Sequence, residues 1–383
     1  TNFARDNGII ISELGQEEWI VKTIENNLVL TGGRPKGTLF AVYHFLEDIV
    51  GVHWWSPYEE FVPEKPYLYI CDPIDLCNKP VFQYRDIYTL YAYDNGRFAA
   101  RNRLSWQVQV ANSEEFGNHD VYGPPFHVHT FNHYIPPEVY FNDHEEWFAL
   151  VKGKRTPNYQ LCLTNGELRA YFLSKLKANI KESEENAARL GVLAPKIYSV
   201  SQNDFQGMCE CSDCQALVNA EGTQAAPVLD FVNYMADNIK DEYPNVFIDT
   251  LAYQSTQKRP KTIWPRENVV IRLCNVYGNR QKPITATEND EFRQDILEWA
   301  AVTENLFIWD YAVTYDIYSD LPTPMLHTYP TNFQFYIENN IDGLFFELEH
   351  VVTADLRDLR VWVTMKLLED PHQDYHVLLQ TFT

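Results

Sequence analysis

The sequence predicts an α/β fold, a (β/α)8 barrel of the TIM type preceded by a small α+β domain. Three observations carry this. From Val81 onward, short β-like apolar runs alternate with helical patterns. There are eight such runs over about 300 residues, the number that a closed barrel of this kind needs. Polar residues recur where the runs end, and a barrel gathers its active site at the C-terminal ends of its strands.

The elements follow in order. Residues 1–70 read as the small α+β domain, with β-like runs at Gly8–Ser12, Trp19–Val21 and Asn27–Thr31. A turn-rich break, Gly32-Gly33-Arg34-Pro35-Lys36-Gly37, comes next. Thr38–Val50 then has helical spacing, with Leu39, Val42, Tyr43, Leu46, Ile49 and Val50 on one face, and Gly51 is placed to end it. Val52–Trp55 and Tyr67–Ile70 read as extended. Residues 71–80, with two prolines, read as a linker, and 81–383 as the barrel. Its expected strands are Phe82–Leu90, His127–Phe131, Tyr159–Leu163, Lys196–Ser201, Val246–Tyr253, Val269–Cys274, Leu306–Tyr311 and Gly343–Leu348. Helical patterns fall at Glu167–Leu190, Ala226–Tyr243, Glu288–Val302, Thr331–Asn339 and Ala354–Leu368. An open doubly wound sheet is the rival arrangement, but no glycine-rich phosphate loop supports a nucleotide-binding version of it.

Composition narrows the function classes. The formal net charge is −22 and the pI near 4.8, a balance that repels nucleic acid and anionic membrane. No run is apolar and long enough to span a bilayer, so membrane insertion is not expected. The 383 residues include 9 Trp, 24 Tyr and 22 Phe, a load that suits a large core and also the aromatic platforms of sugar-binding clefts.

The segment Ser199–Cys214, S-V-S-Q-N-D-F-Q-G-M-C-E-C-S-D-C, is the most informative in the chain. A β-rich run ends in Asn203-Asp204, an amide beside a carboxylic acid at a predicted strand end. Hydrolysis of a glycosidic bond needs a protonated acid at the leaving oxygen. Asp204 is the candidate, with burial beside aromatics expected to tune it. Asn203 is the candidate for orienting an acetamido group that acts as internal nucleophile. Asp204 as a helix cap or Asx-turn residue is the structural alternative. Arg85, His129, Asn165, Tyr253, Trp309, Asp310, Tyr311 and Glu347 stand at other strand ends and are the candidate sugar-binding residues, Asp310 and Glu347 doubling as second carboxylates.

Cys209, Cys211 and Cys214 form C-x-C-x2-C. They suit a structural zinc completed by Cys162 or Cys274, a disulfide of Cys214 with Cys209 or Cys211, or free thiols. No other cofactor is expected. His127 and His129, two apart in an expected strand, would share a face. A catalytic metal there would need further His or Lys at later strand ends, and His327, His350, His372 and His376 lie elsewhere. Lys152–Arg155, K-G-K-R, reads as a solvated turn or as a recognition site for an acidic substrate group.

Several motifs carry a resemblance. Leu30–Trp55 (L-T-G-G-R-P-K-G-T-L-F-A-V-Y-H-F-L-E-D-I-V-G-V-H-W-W) resembles the small α/β domain that precedes the barrel in hexosaminidases and α-glucuronidases. His129–Pro137, His144–Arg155, Gln160–Asn165 and the cysteine segment resemble the domain-of-unknown-function 4838 family, common in carbohydrate-degrading Bacteroidetes. Part of that family is classed as glycoside hydrolase family 163, endo-β-N-acetylglucosaminidases acting on N-glycans. The resemblance implies a periplasmic, secreted or cell-surface glycoside hydrolase that cleaves a β-linked N-acetylhexosamine in a glycan with substrate assistance. An inverting α-glucuronidase-like hydrolase, with Arg155 pairing the substrate carboxylate, and a non-catalytic glycan-binding barrel are the alternatives. By similarity to the hexosaminidases, the acid pair after strand four corresponds to Asn203-Asp204, the Arg after strand one to Arg85 and the Glu after strand eight to Glu347. The hexosaminidase pair is Asp-Glu, and here it is Asn-Asp.

Overall fold

The computed structural model describes residues 2–89, 95–105, 116–117, 121–313, 322–349 and 354–382. Its contacts divide the chain into two compact units. One comprises Thr1–His119, Ala312–Gln334 and Gly343–Thr383, and the other Asp120–Tyr311 and Phe335–Asp342.

In the first unit, Trp19–Ile24 and Asn27–Gly32 form a tight antiparallel hairpin, with Ile24 opposite Asn27. Asp75–Asn78, within the segment expected as linker, pairs with the other edge of Trp19–Ile24. The sheet buries Trp19 and Val21 against Phe40 and Ala41 of the helix Gly37–His44. The glycine-rich break is forced by close backbone approach. A Cβ on Gly33 would stand 1.9 Å from the Gly15 carbonyl oxygen, and one on Gly32 2.3 Å from Gly37. The helix continues as a π-helical turn, Phe45–Val50, and ends at Gly51 as expected. Ile11–Glu13 is a 3-10 turn where a β-like run was expected, and Tyr67–Ile70 pairs with no described strand.

Tyr84–Tyr88 runs parallel to Ile341–Leu348, from Tyr84 opposite Gly343 to Tyr88 opposite Glu347. The helix Arg357–Glu369, buried from Arg360 to its end, packs on Tyr84–Tyr88. Leu90, the expected end of that strand, lies outside the described residues. A buried ionic network ties this unit together. Arg103 bonds Glu47 at 2.5 Å and Glu369 at 2.8 Å, His44 meets Glu369 at 2.6 Å, and Lys366 meets Glu47 at 2.5 Å. Such ions stay charged in the interior only because each faces opposite partners.

The second unit holds the parallel strands Ile197–Ser199, Phe247–Ala252, Val269–Cys274 and Leu306–Ala312, each paired with the next. Val269–Cys274 is buried at every residue, which explains its near-continuous apolar run, broken only by Arg272. The crossover helices supply the cover. Gly166–Leu190 buries Leu168, Phe172, Leu176 and Ile180, spaced four apart on one stripe. Ala225–Ile239 packs on Phe247–Ala252. Arg272 and Asp249 form a fully buried bidentate pair at 2.9 and 3.1 Å, and Tyr122 donates to Asp249 at 3.2 Å.

The chain is thus an α/β protein with parallel strands and helices between them. Among the described residues, six of the eight expected barrel strands form, two in the first unit and four in the second. His127–Phe131 and Tyr159–Leu163 do not. Residues 127–129 are irregular, His129 has a φ of 53°, and a short helix starts at Phe131. The second segment offers one isolated bridge, Phe148 to Leu161. In both, backbone groups bond to side chains and loops in place of a neighbouring strand, and the parallel strands described are those of a half-barrel.

Candidate active site

The strand Ile197–Ser199 delivers its chain end into a dense polar lattice. Thr130 Oγ1 donates to the Ser199 carbonyl at 2.9 Å and accepts from the Ser201 N–H at 3.0 Å. Gln202 donates to Thr256 Oγ1 at 2.7 Å, and its carbonyl meets His129 Nδ1 at 2.8 Å. Gln160 grips the next peptide on both sides. Its Oε1 accepts from the Asn203 N–H at 2.9 Å, and its Nε2 donates to the carbonyls of Asn203 and Phe205 at 2.8 Å each. The buried Asn203 amide donates to Asn132 Oδ1 and the Tyr159 carbonyl, both at 2.9 Å, and accepts from the Asn132 N–H at 2.9 Å.

Asp204 emerges from this platform. It is exposed, not buried as expected: its side chain stands outside the lattice that holds the backbone carbonyls of Asn203 and Phe205. Its Oδ1 accepts a 2.9 Å hydrogen bond from the Tyr253 hydroxyl, which in turn accepts from Gln254 Nε2 at 2.8 Å. Burial, and then the Asp204 charge, push the Tyr253 hydroxyl well above its ordinary value, so it stays a donor. His129 lies 5.8 Å from the Tyr253 ring, and burial holds its imidazole below the usual range.

A second group lies within the strand Leu306–Ala312. Asp310 is buried and accepts from Tyr336 Oη at 2.8 Å, Asn275 Nδ2 at 3.0 Å and the Tyr311 N–H at 2.9 Å. Burial raises its carboxyl despite these bonds. Trp309 is half-buried, its ring 6.2 Å from Tyr311 and 6.5 Å from His127, and nearly parallel to the latter. His127 is buried, and its imidazole is held low by burial and then by Arg272.

The remaining expected residues are placed differently. Arg85 is fully buried. Its guanidinium donates to Glu17 at 2.6 Å and to the carbonyls of Phe82 and Arg103. Glu347 is half-buried in the parallel pair of the first unit. Asn165 caps the helix Gly166–Leu190, accepting from the Leu168 N–H at 2.9 Å. The K-G-K-R island is a hairpin, Leu150–Val151 with Lys154–Arg155, whose turn residues Lys152 and Gly153 take φ values of 50° and 76°. Arg155 donates to the Phe148 carbonyl at 2.7 Å and faces the Cys209 sulfur at 3.8 Å.

Sequence reasoning missed Thr130, Gln160 and Gln202, which hold the acid's backbone, and the Arg272–Asp249 pair. A signal existed for the last: each stands alone as a charge inside an apolar strand.

Parallel strands with helical crossovers define an α/β fold, and solved structures share it. The chain overlays the family 89 glycoside hydrolase from Clostridium perfringens solved with its substrate GlcNAc-alpha-1,4-galactose, with a TM-score of 0.53 at 7% identity. The overlay on the same family 89 enzyme with 2-acetamido-1,2-dideoxynojirmycin has a TM-score of 0.52 at 8% identity. In both, 95% of this chain is covered and 46% of the other, so the chain spans about half the length of these neighbours. At such identity the likeness is one of fold. No curated protein matches the sequence. The chain belongs to the family described as Domain of unknown function (DUF4838), whose profile matches residues 54–383.

Proposed function

We propose that this protein is a glycoside hydrolase that cleaves a β-linked N-acetylhexosamine in a glycan, outside the cytoplasm, with Asp204 as general acid. One observation carries the reading: a carboxylic acid stands exposed in the loop after a parallel strand, on a backbone held by Gln160, with one oxygen held by a tyrosine. The fold it shares with family 89 glycoside hydrolases supports the reaction class.

In this mechanism Tyr253 holds Oδ1, and Oδ2 carries the proton to the glycosidic oxygen. The acetamide oxygen of the substrate attacks the anomeric carbon as the leaving group departs. Water then opens the cyclic intermediate, returning a proton to Asp204. Asn203 is a positioning residue here, since its amide is engaged by Asn132 and Tyr159. Trp309, half-buried, offers the aromatic face on which a sugar ring packs.

The test is turnover of a labelled complex N-glycan and of an aryl N-acetyl-β-glucosaminide by wild type and Asp204→Asn. General-acid removal lowers kcat by about 10²–10⁴, with the circular dichroism spectrum unchanged. Release of intact glycan marks an endo enzyme, and cleavage of the aryl glycoside alone an exo one. Near-normal turnover by Asp204→Asn would remove Asp204 from the mechanism. Glycan binding by wild type without any product would make the barrel a binding protein.

A further inference from the structure

The loop that follows Asp204 returns to the body of its unit through sulfur. Cys209, Cys211 and Cys214 gather with Cys162, 47 residues before the nearest of them, so that all four Sγ atoms lie within 4.8 Å of one another. Cys162 and Cys211 approach to 3.5 Å. All four thiols are unpaired covalently, and Cys162, Cys209 and Cys214 are buried. Of the two fourth ligands open from sequence, Cys274 lies outside the group and Cys162 inside it.

We infer that Cys162, Cys209, Cys211 and Cys214 bind a structural zinc ion. A tetrahedron of thiolates at about 2.3 Å from zinc has sulfur–sulfur edges of about 3.8 Å, so the four atoms need little movement to close on the ion. Four thiolates around Zn²⁺ carry a net double negative charge, and the surroundings are arranged to meet it. The Arg155 guanidinium faces Cys209 at 3.8 Å, and the Leu150 N–H donates to the same sulfur at 3.4 Å. The Thr164 hydroxyl lies 3.2 Å from Cys214 Sγ. Cys211 is the N-cap of the helix Ser212–Glu221, and Cys214 lies in its first turn, where the helix dipole favours negative sulfur. Donors of this kind orient the ligands and tune a metal centre. A soft all-sulfur set with no open position suits a closed structural site and not a catalytic one.

The ion has a mechanical consequence. Cys162 is two residues from Gln160, whose side chain holds the backbone of Asn203 and Phe205. Zinc therefore ties together the two segments that aim Asp204. This consequence rests on the proposed reaction, while the metal site does not.

The experiment is metal analysis of the purified full chain by mass spectrometry, with cobalt substitution. One zinc per chain is expected. Cobalt(II) in its place should give the sulfur-to-metal charge-transfer and strong visible bands of a tetrahedral tetrathiolate. Cys162→Ser should lose the metal, and Cys274→Ser should keep it. Should Cys162→Ser fail to fold, mercurial titration of native wild type should release zinc, followed by a colorimetric chelator, in step with four thiols. A metal-free chain with reactive thiols, an intact mass lighter by two hydrogens per disulfide, or zinc retained by Cys162→Ser would each overturn the assignment. Zinc content is read without substrate, so an inactive but zinc-loaded chain refutes the reaction and leaves the site standing.

Discussion

At the scale of single residues, the contrast between Asp204 and Asn203 is the most instructive. They are adjacent, yet one is exposed with a single tyrosine partner, and the other is buried with its amide saturated. That division suits one reacting group on a fixed base. Tyr253 is the link to be tested. Tyr253→Phe deletes the hydrogen bond to Asp204 and the one accepted from Gln254, while the ring remains against His129. One hydrogen bond to a charged group is worth about 1.5–3 kcal/mol, so kcat should fall roughly ten- to a hundredfold with KM little changed. Steady-state kinetics on the glycan that released product in wild type is the check. An unchanged kcat would mean that Tyr253 does not hold the acid in the working enzyme.

At the scale of elements, Asn165 separates two roles that its position allows. It was a sugar-binding candidate from sequence, and the structure places it as the N-cap of a 25-residue helix. Loss of such a cap costs about 1 kcal/mol. Asn165→Ala should therefore lower the melting temperature by a few degrees, Asn165→Asp should restore it, and KM should not move in either variant. A raised KM at unchanged stability would return Asn165 to the substrate. The same helix shows how an element can be read in advance. Its buried stripe, its capping residue and its terminal Gly191 all lie within one stretch of chain, so local periodicity locates it to within a residue.

At the scale of the whole molecule, pH should act on stability through the ionic network of the first unit. Burial alone would raise Glu47 and Glu369, but Arg103 with Lys366 in one case, and Arg103 with His44 in the other, outweigh it and hold both carboxyls low. A carboxyl held lower in the folded chain stabilises fully above its ordinary value of 4.5, and that contribution is lost as pH falls through the depressed value. His44 acts in the opposite sense. Burial lowers it, Glu369 overrides burial, and its raised value gives stability present below 6.5 and lost as pH rises through the folded value. The melting temperature should therefore be highest near pH 5–6, fall steeply below about 4.5 and decline gently above neutrality. Glu369→Gln should lower the melting temperature at pH 6 and flatten the acid limb, as read by calorimetry. An acid limb as steep as that of wild type would place the sensitivity elsewhere.

Much of this was visible in the chain before folding. Strands such as Val269–Cys274 and helices such as Gly166–Leu190 are local patterns, because burial on two faces or on one stripe writes itself into consecutive residues. The cysteine motif, the acid at a strand end and the family resemblance belong to the same level. The segments 127–131 and 159–163 carried strand-like composition, yet the backbone of the first bonds the Ser201 carbonyl, and that of the second bonds Ala149, Trp147 and the Asn203 side chain. No window of sequence contains that competition. Tertiary structure alone turned Arg85 inward to Glu17, pointed Arg155 at sulfur, left Asp204 exposed above a buried Asn203, and chose Cys162 over Cys274. Each of these is a contact between distant segments, decided by where the whole core lets a charge or a sulfur find its partner.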